Sequence, residues 1–289
     1  MIFGVCAFFA VLAVGAIFLY MLVNGIPAIR HLGLKNILFG TVWKPVAENP
    51  EYGILYIILT SLLGTVLAAL AGVPIGVLTA VYLAEVAEPG RAVLVRDAVE
   101  VLAGIPSVIY GLLGVYLLGP AMYRLERKIF AGSRTHQFTG GANLLSAVLV
   151  LAVMILPTVI HVSESSIRGV PREIREASMA LGASRIQTIF RSVLPSARPG
   201  IVTAAVLGVG RAMGEAMAIT LVSGGCVNFP LPFGSVRFLT TAIVSEMGYA
   251  QGIHREVLFT IGLVLFGFIM LVNVAANHIL RVGGEGQGE

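Results

Sequence analysis

Two ionisable residues stand where ionisable residues are costly. Arg211 and Glu215 lie about halfway along a run that reads Gly-Ile-Val-Thr-Ala-Ala-Val-Leu-Gly-Val-Gly before them and Ala-Met-Ala-Ile-Thr-Leu-Val after. A charge at the centre of a bilayer costs roughly 2.5–3.5 kcal/mol on insertion scales, so a charge kept there needs a partner or a wet pathway. On a continuous helix the spacing of four sets both side chains on one face, where each can offset the other. A guanidinium offers a planar fork to two oxygens of an oxyanion at once, and an adjacent carboxylate would hold that fork and keep an empty path near neutral. The alternative is an intrahelical ion pair that pins a bundle and never meets a substrate. One arginine diluted by a carboxylate suits passage of an anion better than an arginine cluster, which would trap it.

The same run carries Gly210 and Gly214, with Ala204 and Gly208 extending the small residues along it. Small residues four apart let a second helix approach closely. Packing is the simplest role for Gly210 and Gly214, and it would set Arg211 at a helix interface rather than in lipid.

Residues 162–199 form a polar yet patterned connector. Gly169-Val170-Pro171 opens a helix, with Pro171 suited to the first turn and Glu173 near the positive helix end. Gly182 ends that helix, and Ser184 caps a second one running from Arg185 towards Pro195. The expected product is two short helices meeting at an angle. Ile174, Ala177, Leu181, Ile186, Ile189, Phe190 and Val193 recur at helical spacing as an apolar ridge beside the arginines. That ridge suits docking into another protein's groove, or packing against its own bundle.

Glu176-Ala177-Ser178, then Gly182, then Leu194-Pro195 closely resembles the EAA loop of ABC importer permeases. Ser178 stands where the second alanine is usual, and a small residue is retained. The resemblance implies a cytoplasmic coupling helix seated in an ATPase subunit through Glu176, Ala177, Ser178, Gly182 and Pro195. Three further segments resemble the phosphate-specific (Pst) permeases. They are Leu102-Ala103-Gly104-Ile105-Pro106-Ser107-Val108-Ile109-Tyr110-Gly111, the stretch from Gly208 to Ala218, and Thr240-Thr241-Ala242-Ile243 with Glu246-Met247-Gly248. The second and third are similar to the PstC member of the pair rather than PstA. The resemblance implies a type I importer permease fold, phosphate as cargo, and Arg211 and Glu215 on the substrate path. It also implies three partners: a PstA-like second permease, a PstB-like ATPase dimer and a PstS-like phosphate-binding protein. Another oxyanion, sulfate or molybdate, and the PstA-type role remain as alternatives.

Other chemistries find little support. There is no Gly-x-x-x-x-Gly-Lys-Ser/Thr with which to split ATP, so any ATP is bound by a partner and no cofactor is assigned to this chain. Gly208-Val209-Gly210 followed by Gly214 misses the dinucleotide fingerprint. His31, His136, His161, His254 and His278 are dispersed, and no metal is assigned. Cys6 and Cys226 are too few and too distant for a disulfide framework. An intramembrane protease would need a Ser-His, paired-Asp or metal constellation within the spans, where the only ionisable pair is Arg211 with Glu215.

The elements that must position these residues are membrane spans. Of 289 residues 57% are hydrophobic and 12% charged, about half the charged fraction of an ordinary soluble domain. The formal charge of +4 is scattered and gives nucleic acid no basic track. Six runs meet the length of about 20 apolar residues that a spanning helix needs. They lie near 2–23, 54–84, 98–119, 143–161, 200–223 and 257–280. This gives an all-α, multi-pass chain of the cytoplasmic membrane, surrounded by lipid. Residues 1–53 would form the first span and a periplasmic loop, and 54–289 a permease core of five spans. With no Lys or Arg before Arg30, the first run is expected to be retained rather than cleaved. Pro74, within Gly72-Val73-Pro74-Ile75-Gly76, should bend the second run.

Loop charge does not orient the chain. Nine Lys and Arg fall on each side, counting Arg281 inside, although the six arginines between 168 and 198 favour a cytoplasmic connector. On the opposite side, Tyr123-Arg124-Leu125-Glu126-Arg127-Lys128 reads as a basic solvated loop, and Trp43 and Tyr52 read as interfacial anchors.

Overall fold

A backbone removed from water must satisfy its own amides, and long apolar runs therefore become long helices. The computed structural model describes residues 2–285. Among them six stretches are long and apolar enough to cross a membrane: Phe3–Leu32, Leu55–Val86, Ser107–Ile129, Leu144–Arg168, Arg185–Gly214 and Gly252–Ala275. In chain order the elements begin with α1 (Ile2–Leu32), α2 (Leu34–Phe39) and an antiparallel hairpin of β1 (Trp43–Lys44) and β2 (Glu51–Tyr52), in which Trp43 faces Tyr52. Next come α3 (Leu55–Val81), extended by a π-helical turn Tyr82–Val86, and α4 (Pro89–Gly104). The third span joins α5 (Ser107–Leu113), a π-helical stretch Gly114–Leu118 and α6 (Gly119–Ile129). After α7 (Leu144–Arg168) follow α8 (Arg172–Ala180), α9 (Arg185–Thr188), a third π-helical stretch Ile189–Val193 and α10 (Leu194–Gly214). The chain closes with α11 (Met217–Val222), α12 (Leu239–Glu246) and α13 (Gly252–Glu285). The side chain of Arg281 lies outside the described residues.

Three expectations need correction. The third span does not run from 98 to 119: α4 ends at Gly104, Ile105 and Pro106 are extended, and the spanning helix starts at Ser107. A residue before proline is pushed out of the helical region, and that breaks the run. Tyr123–Lys128 is no loop but the last turns of α6, whose first turn carries Pro120. The second helix of the connector does not stop near Pro195; it continues through α10 to Gly214 as one 30-residue stretch. Trp43 Nε1 also donates to the Glu246 carboxylate at 3.1 and 3.2 Å. The helix α3 is uninterrupted through Pro74.

The fourth span, α7, has the largest buried share of the six and forms the centre. Glycines let its neighbours in. A Cβ at Gly72 would stand 2.7 Å from Ile155 Cδ1, one at Gly76 2.7 Å from Val159 Cγ1, and one at Gly208 2.9 Å from Val159 Cγ2. Thus α3 and α10 both close on the Ile155–Val159 ridge of α7 at backbone distance. The first span is peripheral: α1 pairs with α13, with Thr260 Oγ1 donating to Gly25 O at 2.9 Å.

Loops gather at two opposite ends. One end holds the hairpin, the turn before α7 and the segment 223–251; Leu144 N and Leu145 N there donate to Gly234 O and Pro232 O. The other end holds the π-helical turn after α3, together with α4, α8 and α9, and is rich in arginine.

Candidate functional site

Arg211 sits in the last turn of α10 with an exposed side chain. Its Nη1 donates to Thr158 Oγ1 of α7 at 3.3 Å. The expected pairing with Glu215 is not formed. The helix ends at Gly214, and Glu215 has extended backbone (φ −72°, ψ 129°), so the two side chains do not share a helix face. The Glu215 carboxylate is used otherwise: Oε1 accepts from Ala218 N at 3.0 Å and satisfies an amide in the first turn of α11. Glu215 O accepts from Thr240 Oγ1 at 2.7 Å, which anchors the break to α12. The spacing rule assumed a continuous helix, and the chain unwinds one residue too soon. Arg211 makes no ion pair among the described residues.

A second break faces the first. Between α4 and α5, Ile105 and Pro106 are extended, and Tyr110 Oη donates across the gap to Leu102 O at 2.6 Å. The segments that follow the two breaks pack together: a Cβ on Gly111 of α5 would stand 2.9 Å from Ala218 Cα and 2.7 Å from Leu221 Cδ1 of α11. Non-helical backbone at membrane depth persists only where it is buried in protein or lines a watery cavity. Two adjoining breaks beside an uncompensated guanidinium therefore suit a polar path.

Gly210 and Gly214 do not pack within this chain. A Cβ added at either meets nothing within 4 Å, whereas Gly208, two residues earlier, lies against Val159. The close-approach role falls to Gly208. The face shared by Gly210, Gly214 and Arg211 is open.

The connector folds largely as its caps dictate. Ser184 accepts from Gln187 N while the Gln187 side chain accepts from Ser184 N, a reciprocal capping box. Gly182 takes φ +87°, the left-handed conformation that favours glycine. Ser178 Oγ lies 3.0 Å from Thr188 Oγ1 and joins α8 to α9. Glu176, Ala177 and Pro195 are exposed. The ridge splits in two: Ile189 and Val193 are buried in the bundle with Ile174 against them, while Leu181 is 90% exposed, Ile186 70% and Phe190 55%. Packing against its own bundle accounts for one half and leaves the other free.

Sequence reasoning missed the buried carboxylates. Glu126 is fully buried and accepts from Thr139 N and Thr139 Oγ1, with His136 Nε2 at 2.8 Å. Glu246 meets Trp43, Arg237 and His254. Glu164 accepts from Arg96 and Arg168, and Glu85 from Arg175. Apart from Arg168, four residues beyond Glu164 on α7, their partners are remote in sequence or lie across turns that composition does not reveal.

Comparison with known proteins converges on one family. Residues 72–281 match the family described as binding-protein-dependent transport system inner membrane component. The probable ABC transporter permease protein YqgH of Bacillus subtilis is 37% identical, over 96% of this chain and 90% of that protein. The phosphate transport system permease protein PstC of Haemophilus influenzae is 32% identical, over 98% of this chain and 93% of that protein. Among solved structures, a chain of a bacterial alginate ABC transporter matches with TM-score 0.63 at 21% identity, covering 96% of this chain and 94% of that one. A chain of the MetNI methionine ABC transporter in an inward-facing conformation matches with TM-score 0.55 at 24% identity, covering 80% and 94%. The last two speak for the fold alone. With six spans, two adjoining helix breaks and a match over most of its length, the chain belongs to the inner-membrane components of binding-protein-dependent transport systems, the multi-pass permeases of ABC importers.

Proposed function

We propose that this permease carries phosphate, acting as the PstC-type half of a translocation path completed by a second permease. The observation that carries the proposal is Arg211: a guanidinium on an open face, beside a helix break, bonded to a hydroxyl and free of the carboxylate four residues on. Such a group offers two parallel donors to an oxyanion, and Thr158 adds a neutral hydroxyl. Glu215 serves the path by shaping the break, not by neutralising the charge. Similarity to PstC along nearly the whole chain supports phosphate over other anions.

In this reading the arginine-rich end is cytoplasmic, and the exposed Leu181, Ile186 and Phe190 dock into an ATPase subunit that binds and hydrolyses ATP. The hairpin end then receives a periplasmic phosphate-binding protein. Arg211→Ala should lower phosphate uptake by about 30- to 150-fold, the loss expected when a charged hydrogen-bond contact of about 2–3 kcal/mol is removed, with assembly unchanged. Uptake at the native rate would return Arg211 to a structural role. Competition by sulfate or molybdate against radiolabelled phosphate in the native complex separates the cargoes: strong competition would favour the broader oxyanion reading.

A further inference from the structure

At the arginine-rich end the second span terminates in a π-helical turn, Tyr82–Val86, and side chains from the connector grip its last residues. Arg175 of α8 donates from Nε at 3.1 Å and from Nη2 at 2.7 Å to Glu85 Oε1. The same guanidinium donates to Ile167 O at 2.9 Å, Val170 O at 2.5 Å and Pro171 O at 3.3 Å. Arg185 of α9 donates to Glu85 O, and Arg168 of α7 to Leu83 O at 2.9 Å. Cations at a helix C-terminus satisfy carbonyls that have no partner in their own helix. Glu85 and Arg175 are only 12% and 20% exposed, so their pairing is shielded from water and salt. A planar fork engaging a carboxylate and three carbonyls fixes direction as well as distance.

We propose that Glu85 and Arg175 form the joint through which displacement of α8 reaches the second span, so that the connector moves α3 and α7 as one body. The backbone route from α9 into α10 is then only one of two transmissions. The onward path is packed: α3 lies on the Ile155–Val159 ridge through Gly72 and Gly76, and Gly208 of α10 lies on the same ridge three residues before Arg211. These are positioning residues, and the proposal rests on the reading that α8 docks an ATPase.

The test uses the complete complex, with its second permease, ATPase and binding protein, in lipid vesicles. It reads ATP hydrolysis and anion uptake side by side in Glu85→Gln, Arg175→Gln and the double variant. Severing a coupling element changes coupling by several-fold to about 30-fold. Glu85→Gln should thus keep hydrolysis within about twofold of native while ATP spent per anion rises about tenfold. The double variant should add little to either single one, because one contact is lost in all three. Hydrolysis and uptake falling in step, at an unchanged ratio, would overturn the joint. Should Glu85→Gln fail to assemble, Arg175→Lys decides on the same ratio, since it keeps the charge and loses the fork. A native complex that imports sulfate but not phosphate would defeat the phosphate reading alone, and the ratio would then be read with sulfate.

Discussion

Both ends of the molecule bury carboxylates, yet they close them differently. At the hairpin end the bonds to the buried carboxylates are mostly short in sequence. Glu126 meets residues 10 and 13 positions away, and Glu246 meets Arg237 and His254 at 9 and 8. Each network fastens a loop to the helix it leaves, and only Trp43, 203 positions away, brings in the hairpin. The arginine-rich end also has local bonds, such as Arg168 to Glu164 four positions away, but others span 68, 85, 90 and 100 positions, and each of those joins different helical elements. Locally closed loops make a rim that holds its own shape. Long-range guanidinium bonds make elements move together, because no one of them can shift without breaking several charged contacts. The architecture thus separates a stiff rim from a linked arginine-rich end.

The harshest way to break this contrast is to remove a carboxylate from the rim. Glu246 is 5% exposed at its side chain and carries Arg237, His254 and Trp43 together. Glu246→Ala leaves the partly buried Arg237 guanidinium with its bond to Gly225 O but no counter-charge, and two polar rings unpartnered, which should cost about 3–5 kcal/mol. SDS-titration unfolding in mixed micelles measures it. If the rim is structural only, the complexes that still assemble will spend the native amount of ATP per anion. A changed ratio would mean the rim also transmits motion, and the division between the ends would fail.

A smaller effect is expected at the arginine-rich end. Gly182 adopts φ +87°, and a Cβ there meets open space, so substitution strains the backbone without a clash. Gly182→Val should cost about 1–2 kcal/mol of local stability and tilt α8 against α9. The chain should still fold, while uptake per ATP falls. Native coupling in this variant would count against the docking of α8.

The elements most legible in the sequence were those set by local chemistry. Pro171, Gly182 and the Ser184 box fix the connector through bonds within four residues, and the long apolar runs admit no structure but helix. The third span was misplaced by about nine residues because hydrophobicity was weighed above the rule that Pro106 expels Ile105 from a helix. Arg211 was found by its cost, a charge amid apolar residues. Its partner was misread because a spacing of four means contact only if the helix continues, and Glu215 ends it. Glu85, Glu126, Glu164 and Glu246 carried no signal of burial: their sequence neighbours are ordinary, and what covers them is loop residues folded back, as at Glu126, or helices elsewhere in the chain, as at Glu85.

Between the two ends lies the face that belongs to neither. Gly208 and Gly210 sit two residues apart on α10, so they point to different sides of the helix, and only Gly208 touches α7. Gly208→Ala would press its methyl to 2.9 Å from Val159 Cγ2 and should destabilise the chain by about 1–3 kcal/mol. Gly210→Ala meets nothing, and the gain in helix propensity should leave the isolated chain unchanged or up to about 1 kcal/mol more stable. If a second permease closes on this face to complete the path beside Arg211, Gly210→Ala will nevertheless weaken copurification of that subunit and lower uptake. Destabilisation of the isolated chain by Gly210→Ala would place a neighbour from this same chain against that face, and the path would have to be sought on another side of α10.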